Sequence, residues 1–147
     1  MKMLILLKVK FYSQKNNTDK EAMKKKHRKA EMFFQRGFKQ YGAGNLESSI
    51  AFYDKVLEIR PDKHQAWYSR GVALTALGKL EQALTSYDKA LEIKPDYHKA
   101  WHSRGVVLYR LGRLEELIAS YEKALDISEK QINRSKKLIK RLEIKPE

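Results

Sequence analysis

From Leu80 to Ile93 the apolar residues Leu80, Ala83, Leu84, Tyr87, Ala90, Leu91 and Ile93 recur at spacings of three and four, with charged or polar residues between them. That spacing is one face of an amphipathic helix. The same pattern returns when the chain is displaced by 34 residues: units beginning at His64 and His98 share 18 of 34 positions, and those beginning at Ala30 and His64 share 13. Gly37, Gly71 and Gly105 hold the eighth position of each unit, Gly44, Gly78 and Gly112 the fifteenth, and Tyr53, Tyr87 and Tyr121 the twenty-fourth. A fixed period of this length marks stacked copies of one supersecondary unit.

Each punctuation mark has a mechanical meaning. The glycine at position fifteen follows an apolar-periodic run, where a helix ends in the left-handed conformation that a side chain disfavours. The glycine at position eight falls inside a helix, where it costs ~1 kcal/mol against Ala and implies close approach of a second helix. Pro61 and Pro95 close the first two units and Glu129 replaces them in the third. A proline cannot extend a helix, and Asp62 and Asp96 just after it could accept from the free amides of the next one. Each unit therefore reads as helix, glycine turn, helix.

These residues carry a family resemblance. Trp67, Gly71, Ala83, Tyr87, Ala90 and Pro95 are similar to the tetratricopeptide repeat pattern, and three units in phase cover residues 30 to 129. The resemblance implies an all-α fold, a right-handed α-solenoid of three helix pairs (30–63, 64–97 and 98–131) closed by a C-terminal capping helix and tail (132–147). It departs from the family pattern at position seven, where the usual Leu is Arg36, Arg70 and Arg104, at position eleven, which is Gln40 and then Leu74 and Leu108, and at position twenty, where the third unit carries Leu117. Past residue 131 the phase continues as a degraded first helix with Leu138, Ile139 and Leu142 on one side and Lys136, Lys137, Lys140 and Arg141 outside, as a solvating end helix requires.

The same resemblance implies a concave groove lined by positions two, five, nine, twelve and thirteen of each first helix. These are Glu31, Phe34, Phe38, Tyr41 and Gly42, then Gln65, Tyr68, Val72, Thr75 and Ala76, then Lys99, His102, Val106, Tyr109 and Arg110. Apart from Glu31, Gly42, Gln65 and Ala76, these side chains are the expected contacts for a peptide. Aromatic and β-branched groups suit that task because they bury much apolar area while losing little rotamer entropy. The expected partner is a protein segment with apolar anchors and acidic residues. In chaperone-binding members of the family five polar residues clamp a terminal carboxylate; here those places hold Phe34, Phe38, Ser69, Lys99 and Ser103, so chaperone tails are not the expected ligand.

Charge enters through its distribution. The chain of 147 residues carries +13, yet residues 30–129 hold fourteen basic and fourteen acidic side chains, so the excess lies at the two ends. Residues 1–17 read as a flexible basic segment with a polar loop at Ser13 to Asn17. Thr18 and Glu21 have capping-box spacing, and residues 18–29 then form a basic helical extension of the first repeat. Lys24, Lys25, Lys26 and Arg28, with Lys136 and Lys140, are candidate anion contacts, which keeps nucleic-acid or anionic-surface binding as the alternative function. The apolar run Met3 to Leu7 is too short to span a bilayer or to form a secretory signal, so an unprocessed cytoplasmic protein is expected. Residues 1–17 could instead fold into the groove and cover Phe34 and Phe38.

Little resembles catalysis. There is no cysteine, hence no thiol nucleophile or thiolate metal site. His98 and His102 are one turn apart, but no third ligand or intervening Glu accompanies them, so no metal, cofactor or enzymatic activity is expected. The arginines at position seven could fork onto ligand carboxylates or pair with acids of neighbouring helices. Oligomeric state is not legible in these residues.

Overall fold

A computed structural model describes residues 1–143; the side chains of residues 135, 138, 139, 142 and 143 lie outside that description. Six helices follow in order: α1 (Lys2–Gly42), α2 (Leu46–Ile59), α3 (His64–Ala76), α4 (Leu80–Ile93), α5 (His98–Arg110) and α6 (Leu114–Glu143). No strand occurs among the described residues. Within a unit α1 packs on α2, α3 on α4 and α5 on α6, and α2 and α4 then pack on the first helix of the unit that follows. The result is an all-α solenoid.

The turns inside the units are made by the glycines the spacing singled out, with φ of +80° at Gly44, +77° at Gly78 and +73° at Gly112. A β-carbon there is disfavoured by several tenths to ~2 kcal/mol, so glycine ends each first helix. The glycines at position eight have a different cause. A β-carbon added at Gly37 would stand 2.7 Å from the ring of Tyr53, at Gly71 2.7 Å from Tyr87, and at Gly105 2.9 Å from Tyr121. Positions eight and twenty-four of a unit are thus one contact, a tyrosine ring lying on bare helix backbone.

Tyr53, Tyr87, Leu74, Leu108, Val56 and Val107 are fully buried and form the spine of the core. Trp67 and Trp101 fasten the junctions between units, each donating its indole N–H to the carbonyl of the closing proline, Pro61 or Pro95, at 2.9 Å. Asp62 and Asp96 do not cap the next helix. The flanking residues are Lys63 and Tyr97, and the two carboxylates pair instead with Arg60 at 2.9 Å and Lys94 at 3.0 Å. These pairs hold both carboxyls below the usual range, chiefly through the hydrogen bond to the neighbouring cation.

Both ends differ from the sequence expectation. The loop at Ser13 to Asn17 is absent, and α1 runs unbroken from Lys2 to Gly42. No Gly or Pro occurs before Gly37 to interrupt it, and Thr18, expected as a cap, instead donates from its hydroxyl to the carbonyl of Lys15 at 2.7 Å, while Glu21 pairs with Lys24 at 2.8 Å. Residues 1–17 are exposed throughout, so they do not plug the groove. At the other end α6 continues through residue 131 to Glu143 as one helix, because the third unit lacks the proline that closes the first two. The expected apolar side of a separate capping helix, Leu138, Ile139 and Leu142, lies outside the described side chains.

Candidate functional site

The first helices α1, α3 and α5 lie side by side and bring Tyr41, Tyr68, Val72, Thr75, Val106 and Arg110 around one open concavity of about 340 Å³. Ala76, Ser103 and Tyr87 complete its lining. Tyr87 belongs to α4 and reaches the groove because its ring slides across the bare backbone of Gly71, which carries its hydroxyl through to the first-helix side. Reasoning from first helices alone could not place it there. The eight-to-twenty-four pairing of glycine and tyrosine was the available signal.

Hydrogen bonds fix this surface across two units. Thr75 Oγ1 donates to the carbonyl of Gly71 at 2.8 Å, which leaves the Tyr87 hydroxyl, 3.1 Å away, to donate to it. Arg110 Nη1 donates to the carbonyl of Thr75 at 3.1 Å, and the hydroxyls of Tyr68 and Ser103 stand 3.4 Å apart. Burial pushes the Tyr87 phenol up to about 12, so it stays a neutral donor. The floor is therefore polar but uncharged, with Arg110 as the cation at its edge.

The remaining candidates are placed elsewhere. Phe34 is half-buried; its ring packs on Tyr53 at 5.7 Å and lies 4.3 Å beneath the ammonium of Lys63, which also binds Glu31 at 2.6 Å. Phe34 thus serves mainly the junction of the first two units. Phe38 and Tyr109, 65% and 67% exposed, flank the concavity without lining it, and Lys99 and His102 are exposed on α5. The His102 ring packs on Tyr121 at 5.4 Å.

The arginines of position seven are used inside the solenoid. Arg70 donates to Asp54 at 2.7 Å and to Ser86 at 2.8 Å, joining the second helix before it to the second helix after it. Arg104 repeats this with Asp88 and Ser120, each at 2.7 Å. Asp54 and Asp88 stand sixteen residues before their arginines and Ser86 and Ser120 sixteen after. For Arg36 those places hold Lys20 and Phe52, and its side chain is exposed. Lys24, Lys25, Lys26 and Arg28 lie exposed on α1 and Lys136 and Lys140 exposed on α6, all on the helical extensions rather than the repeats.

The sequence matches the tetratricopeptide repeat description over residues 30–63, 52–85 and 98–131, and the TPR repeat description over 71–112. The chain belongs to the tetratricopeptide repeat family. No curated protein matches it, but many solved structures do. The crystal structure of MamA is 23% identical with a TM-score of 0.70 over 71% of this chain, and this chain spans 61% of the length of that one. The first TPR domain of Spaghetti (RPAP3), solved bound to the HSP90 peptide SRMEEVD, is 25% identical with a TM-score of 0.68, covering 78% of this chain and 94% of the other. The Arabidopsis OM64 TPR domain is 23% identical at a TM-score of 0.65, over 67% and 81% of the two chains. No helix among the described residues of this TPR protein is long and apolar enough to cross a membrane.

Proposed function

We propose that this TPR solenoid is a non-enzymatic interaction module that holds a peptide or helix of a partner protein against the concave face of α3 and α5. The observation that carries this reading is the groove itself: Tyr41, Tyr68, Val72 and Val106 offer apolar area beside the hydroxyls of Tyr87 and Thr75, with Arg110 at the rim. A segment with apolar anchors and an acidic residue complements that arrangement, the anchors displacing water from rigid side chains and the carboxylate meeting the guanidinium. The peptide complex of the Spaghetti domain supports the general mode. The expected ligand differs in kind, because Phe34, Phe38, Ser69 and Ser103 stand where the carboxylate clamp of chaperone-binding members has Lys, Asn, Asn and Arg, and only Lys99 matches.

Selection from a displayed peptide library, followed by titration of the enriched sequences, tests this. The expected ligands carry aromatic or aliphatic anchors with an acidic residue, and the exposed pair of changes Val106→Glu and Arg110→Glu weakens them at least about tenfold, equivalent to ~1.4 kcal/mol. SRMEEVD is expected to bind weakly or not at all. Enriched ligands indifferent to the paired change would place recognition elsewhere.

A further inference from the structure

The repeats occupy α1 only from residue 30 onward, and the preceding turns project from them with every residue from Met1 to Lys29 exposed. Their first third is not the polar helix that such exposure calls for. Leu4, Leu7 and Phe11 follow at steps of three and four and form one continuous apolar strip, Leu7 61% and Phe11 74% exposed, while Ile5, Leu6, Val9 and Tyr12 are exposed on the other faces. On the helical wheel Lys8 and Lys15 border the strip on one side and Lys10 on the other. None of these three lysines forms an ion pair among the described residues, and Asp19 is the sole acid in the first twenty positions.

Three kinds of surface could cover such a strip, and the charges separate them. A second copy would bury the leucines but bring two sets of lysines together without counter-charge. A nucleic acid would neutralise the lysines and leave the leucines and Phe11 in water. An anionic lipid surface takes both: the apolar strip enters the boundary between headgroups and acyl chains, and the bordering lysines reach back to phosphates and serine carboxylates. The apolar stretch is too short for more than that. Met3 to Tyr12 at ~1.5 Å per residue covers ~15 Å, half of the ~30 Å hydrocarbon core, in keeping with the absence of a spanning helix among the described residues.

We propose that the N-terminal part of α1 is a peripheral membrane anchor, lying in the interface of an anionic phospholipid surface through Leu4, Leu7 and Phe11 with Lys8, Lys10 and Lys15 at its borders. The groove faces a different part of the molecule, so this site holds the solenoid at a surface while the repeats remain open to a protein ligand.

Flotation of the full chain with vesicles of phosphatidylcholine alone, or with about 30% phosphatidylserine added, tests the anchor. Binding to the serine-containing vesicles is expected to exceed binding to the neutral ones by roughly tenfold or more and to fall as salt is raised. Leu7→Glu with Phe11→Glu, both at exposed positions and therefore compatible with the fold, abolishes flotation at unchanged melting temperature. Lys8→Gln with Lys10→Gln and Lys15→Gln removes the preference for phosphatidylserine. Val106→Glu with Arg110→Glu floats as the wild type does, which separates the anchor from the groove. Equal binding to both vesicles, or binding that survives the Leu7 and Phe11 changes, overturns the proposal. So does binding to a single-stranded RNA oligonucleotide without vesicle binding, which assigns the segment to nucleic acid, or a doubled mass that those two changes abolish without vesicle binding, which assigns it to a second copy.

Discussion

Leu84 and Ile118 occupy the same position in successive second helices and meet opposite surroundings: Leu84 is 5% exposed and Ile118 58%. One heptad further along, Leu91 is 6% exposed and Leu125 64%. The chemistry of the side chains hardly differs. α5 lies across α4 and covers its outer face, whereas α6 runs on past the end of its unit and nothing among the described residues lies across it. A second helix is therefore only half buried by its own unit, and the unit that follows supplies the other half. The beginning of the array shows the complement: Arg70 and Arg104 find an Asp on the preceding second helix, whereas Arg36 has Lys20 at that spacing and pairs with no Asp among the described residues. Stability in such a stack is a sum of unit terms and neighbour terms, and the ends lack one neighbour term each.

This contrast can be broken by paired substitutions. Leu84→Ala is expected to cost about 3 kcal/mol, as removal of a buried leucine does, and Ile118→Ala no more than about 0.5 kcal/mol; equilibrium urea unfolding of the two variants measures both. Equal losses would mean that α6 is covered in solution. Next in size is the contact between glycine and tyrosine. Gly71→Ala forces a β-carbon onto the enclosed ring of Tyr87 and is expected to cost about 2 kcal/mol. Gly105→Ala meets Tyr121, which is only half-buried in the terminal unit and can shift, so its cost is smaller.

The ion-pair ladder gives a third and weaker comparison. Asp54→Ala leaves the guanidinium of Arg70 half-buried with Ser86 as its remaining partner and is expected to cost about 1 kcal/mol. Glu122→Ala, at the equivalent position of the last unit where no following arginine pairs with it, is expected to change stability by less than about 0.5 kcal/mol. The smallest effect is a pH dependence at a junction between units. His64 is held below its ordinary value of 6.5, first by burial against its neighbours, including the Tyr97 ring at 5.1 Å, and then by Lys94, with Asp96 opposing. The unfolded chain thus takes up this proton more readily than the folded one. Stability contributed by neutral His64 is complete above about pH 6.5 and declines as pH falls through the depressed folded value. Melting temperatures of the wild type and His64→Gln should converge across that window, and a constant difference would contradict the shift.

Much of the fold was legible because the repeat states each constraint three times. The glycines at positions eight and fifteen announced close approach and left-handed turns, and both are found as read. The ends were harder because the signals are local and single. Thr18 with Glu21 has the spacing of a capping box, but with no Gly or Pro to interrupt the chain before Gly37 the hydroxyl satisfies a carbonyl inside a continuous helix instead. Asp62 and Asp96 stand one residue too early to cap and have a cation two residues behind them. In the groove, Tyr68, Val72 and Thr75 were expected on the concave face of α3, and all three line the concavity. Phe34 was expected beside them but packs under Lys63 at the next junction, and Tyr87 was missed because it enters from a second helix.

The most direct test of the groove reading is an amide chemical-shift map of the labelled protein, recorded with and without a peptide selected for binding. The expected shifts gather at Tyr41, Tyr68, Val72, Thr75, Val106 and Arg110, with residues 2–29 and 128–143 unmoved. Shifts confined to those two extensions, with the groove amides unchanged, would contradict it.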